Sequence, residues 1–132
     1  MARFEHLPIY KKSFDLLIWT EGVVRRFSRY HKYTLGSDLR NQVRQVLKTI
    51  VEANNSADRK PVLERLRLEL ETLMLLVRVG KEVKAFENLN SYQYAAGEVI
   101  SLARQNEGWL KSLERKQPES PSAGQSAGAR AC

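Results

Sequence analysis

The sequence predicts an all-α protein, an up-down four-helix bundle followed by a disordered tail. Two observations carry this: four segments in which apolar residues recur at helical spacing, and a final stretch with no periodicity at all. The periodic segments run over roughly residues 8–30, 36–54, 61–85 and 91–114, joined by short polar connections of the length that antiparallel neighbours need. The first connection holds Thr34 and Gly36. The second, Asn54-Asn55-Ser56-Ala57-Asp58, leads to Pro61, whose missing N–H suits the first turn of helix three. In the third, Glu87 to Ser91, Asn90 stands three residues before Gln93, the spacing of a capping box. Helices therefore fill residues 1–115 as one domain, and 116–132, rich in Pro, Ser, Gly and Ala, is expected to stay disordered.

Each helix is expected to bury the face its apolar residues define. Helix two has one stripe, Leu39, Val43, Val46, Leu47 and Ile50. Helix four has another, Tyr92, Ala96, Val99, Ala103, Leu110 and Leu113. Helix one carries Tyr10, Phe14, Leu17 and Val24 on one side, interrupted by Glu21, and Leu16, Trp19, Val23, Phe27 and Tyr30 nearly opposite. Helix three repeats the pattern, with Leu66, Leu70, Leu73 and Val77 against Leu68, Leu75 and Val79. A lone bundle buries one face per helix, so the second stripes point to self-association through Leu16, Trp19, Val23, Phe27, Leu68, Leu75 and Val79. The competing arrangement has the helices cross so that both stripes meet one core.

Composition narrows the function. The chain of 132 residues has a formal net charge of +7, and the excess lies in its first half: twelve Lys and Arg against six Asp and Glu over residues 1–60, then eight against eight over 61–115. Between 25 and 48, Arg25, Arg26, Arg29, Lys32, Arg40, Arg44 and Lys48 face Asp38 alone. Such a field attracts a phosphate backbone or an acidic protein surface. Arg40, Arg44 and Lys48 line one side of helix two, while Tyr30 and Tyr33 stand among the other cations as stacking surfaces. A plain solubilising face is the bland alternative, although like charges at i,i+4 cost a helix some stability.

Catalytic and metal chemistry find little to work with. The single cysteine, Cys132, has no partner for a disulfide or a thiolate zinc site, which suits a reducing cytoplasm. His6 and His31 lack metal-ligand neighbours, no phosphate-binding glycine loop or nucleophile elbow occurs, and Arg65–Glu69 and Arg67–Glu71 have the spacing of ordinary surface pairs. Gly22, Gly80, Gly97 and Gly108 fall inside helices, where close packing is the expected reason. No uncharged apolar run approaches the roughly 18 residues of a membrane span, and the opening MARFEHLPIYKK lacks a signal peptide's apolar core. The expectation is a non-enzyme without cofactor, metal or membrane anchor.

The stretch Arg29-Tyr30-His31-Lys32-Tyr33-Thr34-Leu35-Gly36-Ser37-Asp38-Leu39-Arg40 resembles the accessory variability determinant (Avd) family of diversity-generating retroelements. LPIYKKSFDLLIW, IVEANNSADRKPVLERLRLELETLMLLVRVGKE and SYQYAAGEVISLARQNEGWLKS agree with it in order, so the similarity spans roughly residues 7–113. A sister group with the same fold, encoded in intervening sequences of bacterial ribosomal RNA genes, typically ends helix two with SIPANIAEG; here the run is TIVEANNSAD, which favours Avd. The resemblance implies barrel-shaped homopentamers of basic four-helix protomers that bind RNA or DNA and associate with a reverse transcriptase. That enzyme copies a template repeat with errors at adenines, and the copy replaces a variable region of a target gene. The family's basic positions form no fixed motif, so the seven cations rest on local charge alone.

Overall fold

The computed structural model describes residues 4–116; the tail expected over 116–132 lies outside the described residues, save the backbone of Lys116. A single 3-10 turn, Phe4–His6, precedes five α-helices: α1 (Pro8–Arg25), α2 (Arg29–Lys32), α3 (Leu35–Asn55), α4 (Lys60–Glu82) and α5 (Leu89–Lys116). Each long helix packs against the next long helix in sequence, and α1 also meets α5, which closes the up-down four-helix bundle. Among the described residues there is no strand.

The ends of the helices follow local chemistry. Pro8 and Pro61 occupy first-turn positions of α1 and α4, where a missing N–H costs nothing. The start of α5 differs from expectation: Asn88, not Asn90, is the cap, its Oδ1 accepting from the Ser91 N–H at 2.9 Å. Helix one is also shorter than its apolar period, ending at Arg25, and residues 29–32 form the separate turn α2 behind the extended Ser28. At the end of α4, the Ala85 N–H reaches the Gly80 carbonyl at 2.9 Å and the Lys84 N–H the Lys81 carbonyl at 3.1 Å. This is a Schellman closure, and Lys84 takes its left-handed position with φ 60°.

The core corrects the reading of helix one. Leu16, Val23 and Phe27, expected on a self-association face, are buried in the protomer's own core at 2%, 1% and 4% exposure. The core side of this segment is Ile9, Ser13, Leu16, Thr20, Val23, Val24 and Phe27. Ser13 and Thr20 sit in the middle of it, so the buried arc looks in sequence like two apolar stripes split by polar residues. Their hydroxyls are satisfied locally: Ser13 Oγ donates to the Tyr10 carbonyl at 2.9 Å and Thr20 Oγ1 to that of Leu16 at 2.7 Å. Trp19 is half-buried, its ring 4.8 Å from that of Tyr94. Tyr30 leaves the helix altogether for α2. The large apolar residues of α1 left in water are instead Phe14 and Ile18.

Helices α3 and α4 keep the expected faces more closely, and α5 does so in part. On α3, Leu39, Val43, Val46 and Ile50 are buried. The core line of α5 runs Ala95, Val99, Leu102, Asn106 and Leu110, so the expected stripe is turned: Val99 and Leu110 hold, while Tyr92, Ala96, Ala103 and Leu113 are only half-buried at its side. Asn106 is fully buried and its Nδ2 donates to the Leu63 carbonyl at 3.0 Å, a polar tie between α5 and α4. On α4, Leu66, Leu70, Leu73 and Val77 are buried while Leu68, Leu75 and Val79 are 62%, 63% and 46% exposed, so the two opposed stripes of this helix are real. Burying four such side chains in α4 is worth on the order of 1.5–3 kcal/mol each.

Glycine acts as a spacer at two places. A Cβ on Gly80 would stand 2.6 Å from Phe86 Cε2, and one on Gly36 would meet Val24 Cγ1 at 2.6 Å and the His31 carbonyl oxygen at 3.1 Å. Gly80 thus lets the chain fold Phe86 back over α4, where its ring meets that of Phe27 edge-on at 5.5 Å. Close packing fails as the reason for Gly22, Gly97 and Gly108, which have open space around the missing Cβ.

Candidate nucleic-acid interface

The cations of residues 25–48 divide by whether an acid compensates them. On α3, Arg40 and Arg44 lean toward α1 and share one carboxylate, that of Glu21: Arg44 NH2 lies 2.6 Å from Oε2 and Arg40 Nε 3.8 Å from Oε1. The first distance is a charge-assisted hydrogen bond; the second is beyond hydrogen-bond reach and acts through charge only. Glu21 is half-buried, as its place in the apolar stripe suggested, with a third of its side chain in water. Arg26, just past the end of α1, pairs with Glu87 at 3.2 Å. Arg25, Arg29, Lys32 and Lys48 form no ion pair among the described residues.

Three of those four free cations lie together in sequence, from the last residue of α1 to the last of α2. The field is therefore least compensated at the corner where α2 joins α1 to α3. Two aromatic rings share the corner, with Tyr30 75% and Tyr33 70% exposed. The turn holding them is tied by local hydrogen bonds: Thr34 Oγ1 donates to the Tyr30 carbonyl at 2.8 Å, the Lys32 N–H to that of Ser28 at 2.8 Å, and the missing Cβ of Gly36 admits the His31 carbonyl. Lys84, exposed on the loop that also carries Glu87, belongs to the same end of the bundle. No sequence signal brought it there; the Arg26–Glu87 pair and the Phe27–Phe86 contact, between residues far apart in the chain, join the two segments.

Other charges form ion pairs, several of them between helices. Arg65 pairs with Glu69 at 3.7 Å, as i,i+4 spacing suggested, and also with Glu52 on α3. Arg67 does not take Glu71; it forms a two-pronged bridge to Glu107 on α5, with Nε and NH2 at 2.6 and 2.8 Å from its oxygens. That hydrogen bond holds the Glu107 carboxyl below its ordinary range and raises the Arg67 guanidinium above its own. His6 is exposed on the first turn, and His31 is half-buried with its ring edge-on to Tyr30 at 5.2 Å. Among the described residues, no three His, Cys, Asp or Glu gather as metal ligands, and no helix is long and apolar enough to cross a membrane.

The fold is a four-helix bundle with uncompensated cations and two exposed aromatic rings at one corner. The family model described as bAvd-like matches residues 7–113, and the chain belongs to that family, whose members are non-catalytic accessories of diversity-generating retroelements. No curated protein matches the chain.

Proposed function

We propose that this chain supports mutagenic reverse transcription by binding nucleic acid through its basic corner, assembling with copies of itself and associating with the retroelement's reverse transcriptase. The observation that carries the first part is the set of uncompensated cations Arg25, Arg29 and Lys32 on a fixed corner. These can neutralise phosphates without first breaking an internal pair. Arg26, Arg40 and Arg44 would have to exchange Glu87 or Glu21 for phosphate, and Lys48 extends the surface along α3.

Self-association draws its support from α4. Leu68, Leu75 and Val79 lie within about 40° of one line at 100° per residue and are about half or more in water. A second copy covering that line would remove an apolar patch that a solitary bundle leaves wet. A pentamer, the assembly that the family resemblance implies, would present the basic corner five times and bind by avidity.

Light scattering at high salt tests the assembly and should read close to five protomers; Leu75→Glu should reduce this to a helical monomer. A wild-type monomer would overturn the assembly. For binding, Arg25→Glu, Arg29→Glu and Lys32→Glu combined should reduce affinity for an oligonucleotide and flatten its salt dependence. That dependence has a log–log slope of about −0.9 per duplex phosphate neutralised and about −0.7 per single-strand phosphate. Unchanged affinity and slope would displace the site, and tight binding to an acidic protein with none to nucleic acid would replace the reading. Co-purification with the co-expressed reverse transcriptase tests the third part.

A further inference from the structure

We infer that the α2 corner selects single-stranded over duplex nucleic acid, with Tyr30 and Tyr33 serving as stacking platforms for unpaired bases. This rests on the nucleic-acid reading above and goes further, because charge alone does not distinguish the two forms.

Tyr30 and Tyr33 are the most exposed large apolar side chains among the described residues. Neither hydroxyl has a hydrogen-bond partner there; Tyr30 lies in α2, which buries none of its residues, and Tyr33, the cap just after it, is 70% exposed, so neither ring serves the core. The two stand three residues apart in sequence, Tyr30 within α2 and Tyr33 at its C-cap. Tyr30 is steadied by its T-shaped contact with the His31 ring, and the turn by the Thr34 and Lys32 hydrogen bonds, so little ordering remains to be done on binding. Arg25, Arg29 and Lys32 lie beside the rings in sequence, at the end of α1 and at both ends of α2, and would hold the phosphates of the same strand.

A duplex keeps its base faces inside the stack and offers this corner only phosphates. A single strand offers phosphates and free faces together, and stacking on an aromatic ring is worth about 1–3 kcal/mol per base. It tolerates any base and makes no use of the ribose 2′-hydroxyl, so single-stranded RNA and DNA should both be accepted.

The test uses fluorescence anisotropy of the full-length protein with labelled single-stranded RNA, single-stranded DNA and the matching DNA duplex. Single strands should bind more tightly than duplex. Tyr30→Ala and Tyr33→Ala should each weaken single-strand binding by about 5- to 150-fold, leaving duplex affinity and the salt slope unchanged, and Tyr→Phe at either position should restore it. Both rings lie in solvent, so circular dichroism should show wild-type helicity. If the Arg25, Arg29 and Lys32 reversal weakens binding while the tyrosine variants leave it intact, or lose duplex and single strand alike, the stacking site falls and the basic-corner reading stands. If the wild-type chain binds none of the three probes, both fall.

Discussion

Glu21→Gln isolates the acid that keeps part of the basic surface occupied. Glutamine keeps the length of the side chain and an oxygen for Arg44, so the packing of α1 on α3 is preserved while the charge goes. In the wild-type chain one carboxylate compensates two guanidiniums, at 2.6 Å and 3.8 Å. Removing it frees as many as two cations, which should steepen the log–log salt slope by up to about 1.4 for a single strand, twice the roughly 0.7 per phosphate. It also removes a repulsion: a phosphate about 6 Å from Glu21 in water feels on the order of 0.7 kcal/mol, or about threefold in affinity. Glu21 is one-third exposed, so a lower local dielectric would enlarge the gain. The assay is an anisotropy titration of one labelled single strand across a salt series, wild type beside Glu21→Gln. Tighter binding at low salt with a steeper slope is expected. Unchanged affinity and slope would show that Arg40 and Arg44 lie outside the bound strand's path and would refute the assignment of the α3 row to the interface.

Gly80→Ala should destabilise the fold in urea, because its Cβ would stand 2.6 Å from Phe86 Cε2: overpacking of about 1–3 kcal/mol outweighs a helix-propensity gain of about 1. A double-mutant cycle with Phe86→Leu should recover part of that loss. Lys84→Gly should stabilise by roughly 0.5–1 kcal/mol, since Lys84 holds φ 60° at a site that costs an L-residue about 1–2 kcal/mol, offset by glycine's greater freedom when unfolded; lower stability would contradict the closure described for α4. The Arg67–Glu107 bridge should make stability acid-sensitive. The folded Glu107 carboxyl is held below its unfolded value of about 4.3, so its contribution is fully present above that pH and disappears as pH falls through the lowered folded value. Arg67→Met should therefore cost thermal stability at neutral pH and little near pH 2, and equal losses at both would assign the effect to packing.

The four long helices and the core faces of α3 and α4 were legible because each has an apolar line at helical spacing, which on α3 the buried Thr49 accompanies beside Ile50 without interrupting. The face of α1 was not, because Ser13 and Thr20 satisfy their hydroxyls on their own helix and so sit in the core without the apolar signature. Asn90 and Asn88 are equally plausible caps by composition, and only the hydrogen bond to Ser91 separates them. The basic surface was legible as charge and illegible as geometry. Compensation arrives from Glu21 on α1 and Glu87 after α4, far from the cations in sequence, just as Glu107 draws Arg67 away from its neighbour Glu71. The aromatic character of the corner could be read from Tyr30 and Tyr33, but their exposure depended on helix one ending at Arg25.

The four residues of α2 bury nothing of their own, and the turn stays in place through the hydrogen bonds of its backbone and the side chains on either side of it. Such an element opens without disturbing the bundle, at a free-energy cost well below that of global unfolding. Its amides should therefore exchange with deuterium ahead of those in the long helices. A strand lying across Tyr30 and Tyr33 would slow that exchange locally, so the occupied corner would be visible as a patch of protection in a protein whose remaining helices show no change.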